Sequence, residues 1–236
     1  MSQSFFQFKQ FTVHHDRCAM KVGTDGVLLG AWAPVSGCQR ILDVGTGTGL
    51  VALQLAQRTG TAEITGVEID DAAASQAREN VLQSPWSDRI SICHTDFLHY
   101  APSHRYDLIV SNPPYFIDAL HCPDRQRNTA RHAGGLNYES LFRQALTLLE
   151  PNGSLALIIP AELEPHVMEA AGTNGLYRYH CLRVFSKPQK PCRRLLLQLG
   201  TDPLHPFQEE KLYINTDNEE YSVDYRALTG DFYLKM

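Results

Sequence analysis

Arg40-Ile41-Leu42-Asp43-Val44-Gly45-Thr46-Gly47-Thr48-Gly49 is a short apolar run that breaks into three alternating glycines. The run reads as a strand buried on both faces. The glycines read as a sharp turn into a helix, because a residue without Cβ can turn tightly and approach a ligand closely. Working outward, residues 48–58 carry apolar positions three and four apart and predict a helix. Residues 63–68 predict a second strand, and the alanine-rich residues 71–83 a second helix. Strand-like runs follow at 89–93 and 106–111, a helix at 137–149 stopped by Glu150-Pro151-Asn152-Gly153, and a strand at 154–159. Strands alternating with helices predict an α/β fold with a doubly wound, mostly parallel sheet and helices on both faces.

The pattern changes after residue 175. Residues 177–185 and 194–199 read as strands joined by the short, proline-rich Ser186-Lys187-Pro188-Gln189-Lys190-Pro191. A parallel pair needs a longer crossover, so these two strands must be antiparallel. A parallel sheet ending in an antiparallel hairpin resembles the seven-stranded, Rossmann-like sheet of class I methyltransferases more than a nicotinamide dinucleotide fold. Residues 221–236 predict a short amphipathic helix docked on the domain. No repeat or linker divides the 236 residues, so one domain is expected, with residues 1–36 as an N-terminal extension over the cofactor site.

The glycine spacing is Gly-x-Gly-x-Gly, not the Gly-x-Gly-x-x-Gly of dinucleotide sites. Asp43 stands two residues before Gly45, where a carboxylate suits the zwitterionic tail of an amino acid, directly or through water. Glu68 ends the second strand, where it can accept both ribose hydroxyls, a feature shared with NAD proteins. Asp96 follows the third strand; it either accepts from an adenine amine, with Phe97 beside the ring, or caps a helix. Together these point to S-adenosylmethionine held by Asp43, Gly45, Gly47, Gly49, Glu68, Ile69, Asp96, Phe97 and Asn112. Lys21, Thr24, Asp25 and Gly26 are placed over its methionine end, with Thr24 or Asp25 capping a short helix towards Trp32.

Ser111-Asn112-Pro113-Pro114-Tyr115 follows the fourth strand, at the end of the sheet where α/β proteins bind ligands. Two prolines fix the backbone and remove two donors, leaving carbonyls free. The Asn112 side-chain oxygen and the Pro113 carbonyl can then accept both hydrogens of a planar amine, and Tyr115 offers a ring for stacking. Such an amine is a poor nucleophile, and accepting its protons favours the charge that builds on nitrogen as a methyl group arrives. Asn112, Pro113, Pro114 and Tyr115 are therefore the expected catalytic residues. The same arrangement suits adenine, guanine, cytosine and glutamine amides.

At these residues the chain resembles the bacterial valine-tRNA adenine-N6 methyltransferases. The resemblance rests on Phe8–Phe11, on His15–Gly26, on Leu29–Pro34, on Ser111–Tyr115 and on the closing Ala227–Thr229 and Phe232–Leu234. It implies methyl transfer to the adenosine 3′ of the anticodon in a valine tRNA. That base lies in a single-stranded loop and costs less to extrude than one in a duplex. The Gly-Thr-Gly-Thr-Gly of residues 45–49, where Ala or Ser is also expected between the glycines, is a conservative departure.

Charge agrees only in part. Lys and Arg number 21 against 26 Asp and Glu, a net charge of −5, so the chain lacks the general basic field of a duplex-wrapping protein. RNA contacts must come from local clusters: Lys187, Lys190, Arg193 and Arg194 around the hairpin, and Arg125, Arg127, Arg131 and His132 after the clamp. Reversing charge at Lys190 and Arg194 is expected to weaken tRNA binding and spare cofactor binding.

The remaining features exclude classes. Cys18, Cys38, Cys93, Cys122, Cys181 and Cys192 form no Cys-x-x-Cys pair, and no His-x-x-x-His occurs, so no metal is expected. No run of 18 apolar residues or secretory start is present, which predicts a cytoplasmic protein off the membrane; a monomer is expected. A glutamine methyltransferase would carry a further N-terminal helical domain, and a silent RNA-binding partner would have lost the loop or the clamp.

Overall fold

The computed structural model describes residues 4–18, 20–113 and 136–236. A two-stranded antiparallel ribbon, β1 (Phe5–Gln7) and β2 (Thr12–His14), precedes helix α1 (Thr24–Trp32). The alternation then runs β3 (Arg40–Val44), α2 (Leu50–Arg58), β4 (Glu63–Glu68), α3 (Asp71–Leu82), β5 (Ile90–His94) and β6 (Tyr106–Ser111). It continues with α4 (Tyr138–Leu148), β7 (Leu149–Pro160), α5 (Glu164–Thr173), β8 (Tyr177–Phe185), β9 (Cys192–Gly200), β10 (Gln208–Tyr213) and α6 (Val223–Thr229).

The main sheet has the order β10-β8-β9-β7-β6-β3-β4-β5. Strands β3 to β7 run parallel, and β9 is antiparallel to both β7 and β8, as the short connector requires. Among the described residues the sheet has eight strands rather than the expected seven. The extra one, β10, pairs parallel with β8 at the edge. Its Gln208-Glu209-Glu210-Lys211 lies exposed and only Leu212 is buried, so it has no apolar alternation to announce it. Charged edge strands of this kind also resist pairing with another chain.

Each central strand feeds two cores. Ile41, Leu108, Val110, Ala156, Ile158 and Leu196 face one side, where Val27, Leu28, Val51 and Leu55 of α1 and α2 cover them. Leu42, Val44, Ile109, Leu155, Leu157 and Leu197 face the other, under Leu141, Phe142 and Ala145 of α4 and Val167 of α5. This double burial explains why the strands read as continuous apolar runs. The tail helix α6 is shorter than the expected segment, and its Tyr225 joins the first core with Phe232.

Local capping mostly follows side-chain chemistry. Asp70 accepts from Ala73 N–H at 2.8 Å to start α3, and Asn137 and Ser140 form a reciprocal capping box on α4. Helix α1 differs from expectation: its N-cap is Gly23, and no side chain caps it. Among the described residues no helix is long and apolar enough to cross a membrane.

Candidate active site

The strand register brings the singled-out segments into one row. Val44 of β3 lies opposite Val67 of β4 and Ser111 of β6, and Val67 lies opposite Cys93 of β5. Gly45, Glu68, His94 and Asn112 come next, side by side at the carboxyl ends. At about 4.8 Å per strand the row spans roughly 14 Å. Strand order reverses at β3, with β4 on one side and β6 on the other, which opens a crevice between the glycine loop and Asn112. Two cavities, one around Trp32, Cys38 and Arg58 and one around Arg40, His104 and Arg105, lie at the opposite, amino end of the strands.

Gly45, Gly47 and Gly49 all adopt left-handed conformations, with φ of 71°, 55° and 81°. A Cβ at Gly45 would meet nothing within 4 Å, and one at Gly47 only the Gly45 carbonyl at 4.0 Å. The ground in front of the loop is thus clear for a ligand, while the backbone itself demands glycine. Gly45 and Thr46 N–H both donate to the Val67 carbonyl, at 2.9 and 3.1 Å. Gly47 N–H donates to Glu68 Oε2 at 2.8 Å, and Ile69 and Asp70 N–H donate to Glu68 Oε1 at 2.9 and 3.0 Å. A carboxylate has about four acceptor positions. One remains, enough for one ribose hydroxyl; taking both requires release of the Gly47 N–H.

Asp43 is 1% exposed. Its Oδ2 accepts from Thr46 Oγ1 at 2.6 Å, and the Ala52 N–H also bonds it. The structure therefore makes Asp43 a brace beneath the loop, not a group open to the tail of a ligand. The sequence reading missed its partner Thr46, and also Gly66, where a Cβ would come within 2.9 Å of the Thr46 side chain and 2.7 Å of Ile92. A glycine inside a strand was the available signal for that close approach.

Burial pushes the Asp43 carboxyl up to about 7; the Thr46 and Ala52 bonds pull against this, and the Glu68 charge adds to it. A carboxyl raised in the folded state binds its proton more tightly there than in the unfolded chain. Its contribution to stability is full below about pH 4 and is lost as pH rises to about 7. We expect Asp43→Asn to remove this slope, on the order of 4 kcal/mol across that window. Urea unfolding of both proteins from pH 4 to 8 checks it, and parallel stability curves would contradict it.

The other predicted donor-site residues divide. Ile69 is 66% exposed beside Glu68 and offers an open apolar surface. Asp96 does cap the short 3-10 turn Phe97–His99: Oδ1 accepts from Leu98 N–H at 2.9 Å, and Oδ2 lies 2.9 Å from His99 Nδ1. Spare lone pairs remain for an adenine amine. Phe97, expected beside the adenine ring, is 4% exposed and packs in the second core. Gly26 serves packing, since a Cβ there would meet Leu50 Cδ2 at 3.0 Å. Lys21 and Thr24 are exposed, and Asp25 Oδ2 accepts from Arg194 Nε at 2.8 Å.

Asn112 holds the decisive geometry. Ser111 Oγ donates to the Val44 carbonyl at 2.9 Å, fixing the end of β6 against the end of β3. The next residue's Oδ1, that of Asn112, is buried and has no hydrogen-bond partner among the described residues. A buried acceptor left unmade costs roughly 1–3 kcal/mol, so its persistence at this position fits an incoming donor such as an amine. Pro113 is buried beside it. Pro114, Tyr115, Arg125, Arg127, Arg131 and His132 lie outside the described residues.

The model of the methyltransferase small domain family matches residues 23–172, which span both the glycine loop and Asn112. The tRNA1(Val) (adenine(37)-N6)-methyltransferase of Bacteroides fragilis is 52% identical over 239 residues, covering 100% of both chains. That of Serratia proteamaculans is 47% identical over 97% of this chain and 89% of its own. The chain belongs to the tRNA1(Val) (adenine(37)-N6)-methyltransferase family. It is an S-adenosylmethionine-dependent methyltransferase. A predicted O-methyltransferase from Agrobacterium tumefaciens shares the fold, with a TM-score of 0.68 at 21% identity over 88% of this chain and 96% of its own. A glycopeptide N-methyltransferase crystallised with S-adenosylmethionine also shares it, with a TM-score of 0.56 at 13% identity over 77% and 100%.

The basic residues of this family member are less available than their numbers suggest. Lys187 pairs with Glu219, and Arg194 pairs with Asp25. Lys190 and Arg193 are exposed, and among the described residues neither is in an ion pair. Charge reversal at Arg194 would set two negative groups together at the start of α1, so Arg194 does not test RNA contact cleanly. Among the described residues no cluster of three His, Cys, Asp or Glu side chains could hold a metal ion.

Proposed function

We propose that this chain methylates the exocyclic N6 of the adenosine at position 37, 3′ of the anticodon, in a valine tRNA. The observation that carries the chemistry is the unpartnered Asn112 Oδ1 beside the glycine loop. The names of its full-length relatives support the substrate. The bound donor supplies an electrophilic methyl group on a sulfonium. Gly45, Gly47 and Gly49 leave room for it, Glu68 accepts from its ribose and Asp96 from its adenine, and Ile69 lies against the base. Of the N-terminal extension, Lys21, Thr24 and Asp25 at the start of α1 stand over its methionine end, while Trp32 to Ser36 lie at the amino end of the strands.

On the acceptor side, Asn112 Oδ1 and the Pro113 carbonyl take the two amine hydrogens, with Pro114 and Tyr115 completing the clamp. Holding those hydrogens directs the nitrogen lone pair at the methyl carbon and stabilises the positive charge that builds on nitrogen. With the donor bound, the new N–C bond would replace the donor's C–S bond, S-adenosylhomocysteine would be the leaving group and one amine proton would pass to solvent. No strong base is needed before transfer.

Incubation with labelled S-adenosylmethionine and total tRNA, followed by nucleoside analysis, tests the acceptor: N6-methyladenosine is expected, and label confined to protein or to another base overturns the reading. For the RNA surface, Lys190→Glu with Arg193→Glu is expected to weaken tRNA binding and lower the slope of log affinity against log salt by about 1–2, with S-adenosylhomocysteine binding unchanged. An unchanged salt slope removes the hairpin from the interface.

A further inference from the structure

Helix α3 carries two long polar side chains that are buried: Gln76 is 0% exposed and Asn80 1%. They stand four residues apart and so share one helix face. Asn80 Oδ1 accepts from His14 N–H at 2.9 Å. Its Nδ2 donates to the His14 carbonyl and to the Thr48 carbonyl, each at 2.9 Å. The amide has two N–H donors, and each goes to a different segment: one to the N-terminal arm, one to the glycine loop. Gln76 holds the arm one turn away, accepting from Arg17 N–H at 3.0 Å and donating to Asp16 Oδ1 at 2.7 Å. Between them Ala77 backs the loop, lying 3.5 Å from where a Cβ on Gly49 would stand. The arm then leads to Cys18, whose thiol is pushed up to about 11 by burial and, next, by the charges of Glu68 and Asp70. Its end thus lies within electrostatic reach of the carboxylate that anchors the loop.

We infer that Asn80 is a positioning residue for the donor site, fastening the N-terminal arm to the glycine loop so that the two hold the donor as one unit. This rests on the donor-site reading given above. An apolar side chain at 80 would leave the His14 N–H and the His14 and Thr48 carbonyls without this partner, whereas an amide can read a peptide unit at both its N–H and its carbonyl while gripping a second strand of backbone. A carboxylate offers no donor, and a hydroxyl only one.

The test uses the full-length protein, with S-adenosylhomocysteine binding by calorimetry, donor kinetics and amide hydrogen exchange. Asn80→Asp removes both donors. We expect its dissociation constant for S-adenosylhomocysteine and its KM for the donor to rise about tenfold or more, as loss of one to two hydrogen bonds implies. The kcat at saturating donor should stay within about threefold of wild type, since Asn80 touches no reacting group. Exchange should quicken at residues 12–18 and 46–49 together, and saturating ligand should restore it. Gln76→Met, a milder change that keeps the Thr48 bond, should loosen only the arm and raise the constant about threefold; it decides the matter if Asn80→Asp does not fold. Faster exchange with unchanged donor affinity in both variants overturns the proposal. Glu68→Ala run in parallel separates the two ideas. If it loses donor affinity while Asn80→Asp and Gln76→Met do not, only the coupling falls; if it binds as wild type, the donor-site reading itself falls.

Discussion

An Asn112→Ala enzyme is expected to lose about 100- to 1,000-fold in kcat, the cost of removing one preorganised contact to a developing charge. Stability should move the other way. Asn112 Oδ1 is buried without a partner among the described residues, so truncating it removes an acceptor that folding leaves unsatisfied. Unfolding should therefore occur at the same urea concentration or slightly higher. Donor affinity should change little, because the glycine loop and Glu68 belong to other strands. A variant that is slow, stable and still binds S-adenosylhomocysteine supports the clamp. One that is slow because it is unfolded does not, and one that keeps full activity contradicts it.

A Glu68→Ala enzyme is expected to bind S-adenosylhomocysteine about 30- to 100-fold more weakly, the range for loss of a hydrogen bond to a charged group. Three backbone N–H groups, of Gly47, Ile69 and Asp70, converge on this carboxylate. It does two jobs: it holds the middle of the glycine loop and leaves one acceptor position turned to the crevice. Glu68→Gln removes them on one side only: its carbonyl oxygen can still accept from Ile69 and Asp70 N–H, but its amide nitrogen then faces the Gly47 N–H and the ribose hydroxyls, where it cannot accept. Comparable losses in both variants assign the effect to the Oε2 side, the Gly47 bond and the ribose acceptor; a loss in Glu68→Ala alone assigns it to the Oε1 bonds with Ile69 and Asp70 N–H. Wild-type affinity in both would remove Glu68 from the donor site.

What was legible in the sequence follows from how each part is specified. Strands β3, β6 and β7 were readable because a parallel sheet covered on both faces must be apolar at nearly every position. The ends of β3, β4 and β6 were readable because glycines, a terminal carboxylate and an Asn-Pro-Pro run are chemically distinct. Strand β10 was not readable: Gln208 to Lys211 have backbone partners but no buried face. Helix α5 left only the weak signal of Pro165 in its first turn and the spacing of Val167, Ala170 and Ala171. Contacts between distant segments were invisible. Nothing near Arg194 announces Asp25, 169 residues earlier, and nothing near Asp43 shows that its carboxyl is sealed beneath Thr46. Asp96 kept both readings, because a capping carboxylate and a ligand acceptor are the same chemical group.

The most direct measurement pairs a purified valine tRNA carrying adenosine at position 37 with a transcript in which that base alone is guanosine. Each is incubated with the protein and labelled S-adenosylmethionine, then digested and located by mass spectrometry of the fragments. The account predicts one N6-methyladenosine, at position 37 of the first tRNA, and no incorporation into the second. Equal methylation of both, or label at another position, would contradict it.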